Sequence, residues 1–424
     1  MSLSQEATER QVQAASPVAT TWVAANAGSG KTRVLIDRVA RLLLSGVEPQ
    51  RILCLTYTKA AATEMQNRLF KRLGEWAMLP DDKLRADLAA LGEGPGFVAD
   101  DLARARRLFA RALEAPGGLR IQTIHSFCAT LLRRFPLEAK ISPGFSELDD
   151  RAARLLRAQI VEEMSDSHAP AIMAEIAAIY TGEEFTALME QVASARHGFA
   201  AETDEQKIKV ALGLEADASV DSVIRRCLRG QEEALIAACL PVLREGRVTD
   251  VSLADALATA EFAGRQFQLF EVLKEACLTK AGTVTKNLPT RNAVAALGAL
   301  AGELADLFQR VEVAQAQLIA LSAARKTHAL HRFAAAFLPL YEQAKSARGW
   351  LDFDDLIARA KGLLTDRTVA QWVLYRLDGG IDHILVDEAQ DTSPDQWKVI
   401  ELLAEEFTSG EGRDPDRPRT LFVV

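Results

Sequence analysis

The chain of 424 residues is short of several things, and each shortage closes off a class of protein. It has only five cysteines (Cys54, Cys128, Cys227, Cys239 and Cys277), widely spaced and without a CxxC pair. Reduced, buried thiols fit that pattern better than a disulfide frame or a zinc site. Basic charge is not in excess. Fifty Lys and Arg stand against 58 Asp and Glu, a net charge of −8, so no global field draws nucleic acid in and any DNA contact has to be local. There is no apolar run of about 18 or more uncharged residues, and the polar start, MSLSQEATER, has no apolar h-region. That excludes a multi-span membrane protein and predicts a cytoplasmic setting with no membrane partner. With 49 % apolar and 25 % charged residues, wholesale disorder and collagen-like repeats are excluded too. At roughly 100 to 200 residues per domain, the length allows two to four domains with a real core.

What is present alternates in texture. Residues 20–72 read as strand, loop, helix, strand, helix: TTWVAA (20–25) as a short buried strand, then Val34, Leu35, Val39, Leu42 and Leu43 at helical spacing up to Gly46. ILCLTY (52–57) is the next strand, and Ala61, Ala62, Met65 and Leu69 mark one face of the next helix. From about 150 to 347, Ala, Leu, Glu and Arg dominate and strand-like alternation disappears. This predicts a helical insertion whose one polar break, 279–291, reads as a mobile loop. Strand texture returns at HILVDE (383–388). Ser393, Pro394 and Gln396 then supply an N-cap, an N1 proline and a capping-box partner for a helix bearing Trp397, Ile400 and Leu403. The final RTLFVV is an apolar strand with no turn after it, from which the chain is expected to be the N-terminal portion of something longer.

The fold expected from this texture is α/β, a core with a parallel sheet interrupted by a large α-helical insertion. Residues 1–148 and 348–424 form the core and 149–347 the insertion.

The strongest chemical signal is AANAGSGKT (24–32), between a predicted strand and a predicted helix. Ala27, Gly28, Ser29 and Gly30 would wrap a β-phosphate with backbone N–H groups, helped by the positive end of the following helix. Lys31 can bridge β- and γ-phosphates, and Thr32 offers the hydroxyl such loops use for Mg²⁺. Ala25 stands where the GxxxxGK[ST] pattern has its first glycine. The alternative, a glycine-rich turn that binds nothing, loses ground to the second signal, ILVDEAQDTSP (384–394), where an apolar strand ends in two carboxylates. Beside a phosphate loop, Asp387 would hold Mg²⁺ and Glu388 would polarise the attacking water.

These segments resemble superfamily 1 helicases of the UvrD/RecB type. In ATERQVQAA, Gln11 matches an adenine-reading glutamine, and Arg33 falls where the family has an arginine stacked on adenine. TYTKAAATEM (56–65) is similar to the family's TFTNKAAREM, which implies contact with single-stranded DNA through Thr56, Tyr57, Thr58 and Lys59. The family's own lysine, one position later, is Ala60 here. TIHSF (123–127) resembles its T-x-H-[SG] element, adding Thr123 and His125, and VDEAQD matches its second motif, with Gln390 linking γ-phosphate state to the DNA side. GWLDFDDLI (349–357) resembles the segment where the family's chain re-enters the core. QWVLYRLDGGIDHILVDEAQDTSPDQW (371–397) and the long insertion look most like the RecB-like subunit of AddAB-type helicase–nucleases.

The resemblance implies ATP and Mg²⁺ as cofactors, single-stranded and broken-end DNA as substrate, a partner subunit of AddB-like type, and 3′-to-5′ translocation by the full-length enzyme. The second RecA-like domain and a nuclease would lie outside these residues, leaving this portion alone a poor catalyst. On physical grounds Tyr57 can stack a base, a contact worth roughly 1–3 kcal/mol and indifferent to sequence. The alternatives for Tyr57 and His125 are a core aromatic and a structural histidine. Two rival functions stand beside the helicase: an ATPase of the ABC or SMC type, for which no LSGGQ-like signature is present, and an inactive homologue that only grips DNA ends, which intact Lys31, Asp387 and Glu388 disfavour.

Overall fold

The computed structural model describes residues 3–24, 30–92, 98–115, 118–199, 203–259, 266–378, 381–408 and 418–424. By its contacts the chain divides into residues 1–153 with 344–424, and residues 154–343.

The first unit is built on a five-stranded parallel sheet of β1 (Thr21–Trp22), β2 (Ile52–Thr56), β3 (Arg120–Thr123), β6 (His383–Val386) and β7 (Thr420–Val423), in the order β1-β7-β6-β2-β3. The two short strands between, β4 (Ser146–Glu147) and β5 (Trp350–Leu351), pair with each other in parallel. β2 is buried at every position, as fits a strand covered by helices on both faces of a parallel sheet. One layer packs Val34, Leu35, Val39 and Leu42 of the helix Lys31–Leu44 with Met65, Leu69 and Leu73 of the helix Lys59–Met78. The other packs Phe127, Leu131, Leu356 and Ile400 against Leu53, Leu55 and Val386. Each fully buried side chain of this size contributes about 1.5–3 kcal/mol. Ala62, Met65 and Leu69 form the expected face and Ala61 is half-buried.

β1 departs from expectation. It pairs with β7 alone among the described strands, so it is an edge, and Trp22 is 66 % exposed, its ring meeting Trp397 edge-on at 5.4 Å. The apolar TTWVAA predicts a buried strand, but an apolar run does not tell a central strand from an edge. Arg38, wholly buried on the helix Lys31–Leu44, anchors the chain before β1. Its guanidinium donates to the Ser16 and Ala19 carbonyls and to the Thr420 hydroxyl, and lies 5.0 Å over the Phe422 ring.

The capping box read from Ser393 and Gln396 is present: the Ser393 N–H donates to Gln396 Oε1 at 3.1 Å and the Gln396 N–H to Ser393 Oγ at 3.3 Å. A second box starts the helix Phe353–Thr365, where Asp352 and Asp355 each accept the other's N–H. Buried Lys345 donates to both carboxylates, at 2.7 and 2.6 Å. Burial alone would lower its pKa, but the two carboxylates outweigh that and raise it.

Among the described residues of the second unit the regular elements are helices, joined by turns, with one isolated bridge, Leu278 to Val284. Leu304, Leu307, Phe308 and Val311 of the helix Ala299–Arg348 share a core with Leu253, Leu257, Phe270 and Leu273. The polar stretch 279–291 is not the loose loop expected. Thr279 and Thr283 hydrogen-bond each other, Val284 N–H donates to Glu312 at 2.7 Å, and Thr290 donates to the Asp250 carboxylate through its N–H and its hydroxyl. Glu312 and Asp250 are tertiary partners that a polar composition does not reveal.

Candidate functional site

Because all five strands run the same way, their carboxyl ends meet along one edge, where ligands bind in open α/β sheets. The register aligns Val23, Val424, Asp387, Thr56 and Thr123 in the row just beyond the last paired residues of β1, β7 and β6. Backbone hydrogen bonds carry the ladder into that row, from Val23 N–H to Val423 O at 2.8 Å, from Asp387 N–H to Leu55 O at 2.9 Å and from Val424 N–H to Val386 O at 3.0 Å. The phosphate-loop strand thus stands at one side of the row, the strands ending in Thr56 and Thr123 at the other, and the carboxylates between.

On the nucleotide side, Ala25, Ala27, Gly28 and Ser29 lie outside the described residues. Gly30 caps the helix Lys31–Leu44 with φ +83°, a left-handed conformation that side chains rarely adopt. A Cβ added there would sit 3.4 Å from Gln11 Nε2, so Gln11 lies against the end of the loop. Lys31 Nζ is 4.0 Å from Glu388 Oε2, and Gln390 Nε2 donates to the same oxygen. The start of the helix and the strand end therefore face each other. Thr32 is half-buried in the first turn. Arg33 is exposed on the outer face of the helix, 3.8 Å from Asp37.

Asp387 is buried, and its Oδ1 accepts the Glu388 N–H at 3.1 Å. Burial pushes its pKa up and the neighbouring Glu388 charge adds to that, against the pull of Lys31. Two adjacent carboxylates in this setting are under-compensated, and a divalent cation between Asp387 and the Thr32 hydroxyl would supply the missing charge, so the donor set fits Mg²⁺. Glu388 itself holds φ +54°, ψ +48°, a conformation costly for a residue with a Cβ and one that clusters at functional sites. No sequence signal marks that strain.

On the opposite side, Tyr57 is 48 % exposed and Thr58 and Lys59 are exposed beside it, while the Thr58 hydroxyl oxygen caps the helix Lys59–Met78 by accepting the Ala61 N–H at 3.1 Å. Thr56 and Thr123 end β2 and β3. Both are buried, Thr56 Oγ1 donating to the Thr58 carbonyl at 3.0 Å and Thr123 Oγ1 donating to Ser126 Oγ at 3.0 Å while accepting the Ser126 N–H at 3.2 Å. Both hydroxyls thus hold the backbone of the turn that follows their strand. His125 is half-buried, its ring 5.0 Å from that of Phe353, and burial lowers its pKa against the opposing pull of Asp354 and Glu147. Gln396 Nε2 lies 3.4 Å from His125 Nε2, a contact across 271 positions that the sequence did not announce.

Residues 6–411 match the family described as UvrD/REP helicase N-terminal domain. Among curated relatives, the chain is 29 % identical over 432 residues to the A-type subunit of an ATP-dependent helicase/nuclease from Desulforudis audaxviator, an alignment covering 90 % of this chain and 32 % of the relative. It is 26 % identical over 447 residues to the protein of the same description from Pelotomaculum thermopropionicum, covering 95 % and 32 %, and 37 % identical over 134 residues to the one from Enterococcus faecalis, covering 32 % and 9 %. The chain spans about a third of the length of the curated relatives it matches over most of its own length.

Proposed function

The chain belongs to the UvrD/REP helicase family, through its N-terminal domain, and from that premise we propose that it is the nucleotide-binding and strand-gripping part of an ATP-driven 3′-to-5′ DNA translocase. The long relatives are A-type subunits of helicase/nucleases, so the reading extends to broken-end DNA as substrate, an AddB-like partner and a cytoplasmic setting. The five described thiols are all buried and unpaired, which suits a reducing compartment.

The observation that carries the reading is the shared row of strand ends, with Lys31 and Glu388 facing each other at one side and Tyr57 exposed at the other. Lys31 holds β- and γ-phosphate oxygens, Gln11 reads the base, and Arg33 stacks on it. Thr32 and Asp387 would hold Mg²⁺, which supplies charge neutralisation on the phosphates when bound. Glu388 is aimed by its left-handed backbone, takes the proton of the attacking water, and reports to the DNA side through Gln390. Tyr57 stacks a base, with Thr58 and Lys59 holding the adjacent backbone.

Lys31→Ala tests the nucleotide half. Losing one charge-assisted contact to phosphate, on the order of 1.5–3 kcal/mol, should weaken Mg-ATP binding by at least about tenfold in calorimetry on residues 1–424. Equal affinity in wild type and variant would sink the phosphate-loop reading.

A further inference from the structure

The amide of Gln396 cannot choose its orientation. Its Oε1 is committed to the Ser393 N–H at 3.1 Å in the capping box, so the group that faces His125 is the NH₂, at 3.4 Å from the ring's Nε2. An NH₂ group has hydrogen to give and no lone pair to offer. The ring nitrogen it meets must therefore be unprotonated, which leaves the proton of the neutral imidazole on Nδ1. The setting favours the neutral ring, since burial works against the imidazolium more strongly than Asp354 and Glu147 favour it. The plane of the ring is fixed separately by the Phe353 side chain, 5.0 Å away and tilted by 52°. Among the described residues no other side chain hydrogen-bonds this ring.

We propose that Gln396 is a positioning residue that locks His125 in the Nδ1–H tautomer, so that the ring presents a fixed donor to an acceptor oxygen of a single-stranded nucleic acid. The donor role rests on the strand-gripping function argued above; the lock rests on the capping box and stands without it. The arrangement also puts the DNA-side histidine under the control of the helix Pro394–Thr408, which starts four residues after Gln390. A movement of the carboxylate strand end that shifts this helix would alter the donor as well.

Gln396→Glu is the discriminating variant, because it keeps the acceptor that Ser393 needs and replaces the NH₂ by a second acceptor. Ring ¹⁵N shifts of residues 1–424, recorded above neutral pH, should show Nδ1–H in wild type and Nε2–H in Gln396→Glu. Fluorescence anisotropy should show single-stranded DNA bound about tenfold more weakly by the variant, by the same factor at low and high salt, with Mg-ATP affinity unchanged. Salt independence separates a lost hydrogen bond from repulsion by the new carboxylate. A wild-type ring in the Nε2–H form would overturn the lock, and a variant that switches tautomer yet binds DNA as tightly as wild type would overturn the donor role. A wild type with the Nδ1–H ring that binds no single strand would overturn the strand-gripping function and the donor role with it, leaving the lock intact.

Discussion

His383 opens β6 at the end of the sheet opposite the row that holds Asp387 and Thr56, and it ties the stability of the core to pH. It is 3 % exposed, with its Nδ1 2.8 Å from Thr420 Oγ1. The same hydroxyl oxygen accepts from Arg38 Nη2 at 2.9 Å, so the ring is packed against a buried guanidinium. Burial is the main cause that lowers the His383 pKa, to about 4, with Arg38 acting in the same direction and Asp382 against it. An unfolded histidine has a value near 6.5, so between about pH 6.5 and 4 the unfolded chain binds a proton that the folded chain refuses. Stability from this residue is complete above about pH 6.5 and is lost as pH falls through that window. At ~1.4 kcal/mol for each tenfold difference in proton affinity, the loss is on the order of 3 kcal/mol. His383→Asn removes the titration. All five tryptophans (Trp22, Trp76, Trp350, Trp372 and Trp397) belong to the sheet-bearing unit, so their fluorescence follows its unfolding in urea without a signal from residues 154–343. Other titrating groups cancel when the two proteins are compared at each pH. The stability difference between wild type and His383→Asn should change by about 2–3 kcal/mol between pH 7.5 and 4.5, against wild type at the lower pH. A difference that stays constant over that range would refute the argument.

Tyr57→Ala should weaken single-stranded DNA binding by roughly 5- to 150-fold, the equivalent of about 1–3 kcal/mol for one stacked base, with Mg-ATP affinity unchanged; anisotropy and calorimetry on the same preparation check it. Lys345→Met should cost about 3–5 kcal/mol in tryptophan-monitored urea unfolding, because it removes the buried cation that buried Asp355 and half-buried Asp352 share, and a loss below about 1 kcal/mol would contradict the reading.

The parts of this molecule that were legible in the sequence are those whose cause lies within a few residues. The helix after the phosphate loop follows from the spacing of Val34, Leu35, Val39 and Leu42, and the Ser393–Gln396 capping box from two residues three apart. What could not be read depends on sheet order. That β7, the last described strand, lies between β1 and β6 leaves β1 at an edge among the described strands and Trp22 in solvent, although its segment reads as buried. The same order places Thr56 beside Asp387 and opposite Thr123, where both hydroxyls are buried and hydrogen-bond within their own turns. Gln396 shows both levels in one side chain: its oxygen answers a local signal, and its nitrogen meets a histidine 271 residues away only because β6 pairs with β2 and β2 with β3. A motif therefore names the residue types gathered at this edge, and the order of the strands decides which of them reach a ligand and which hold the others in place.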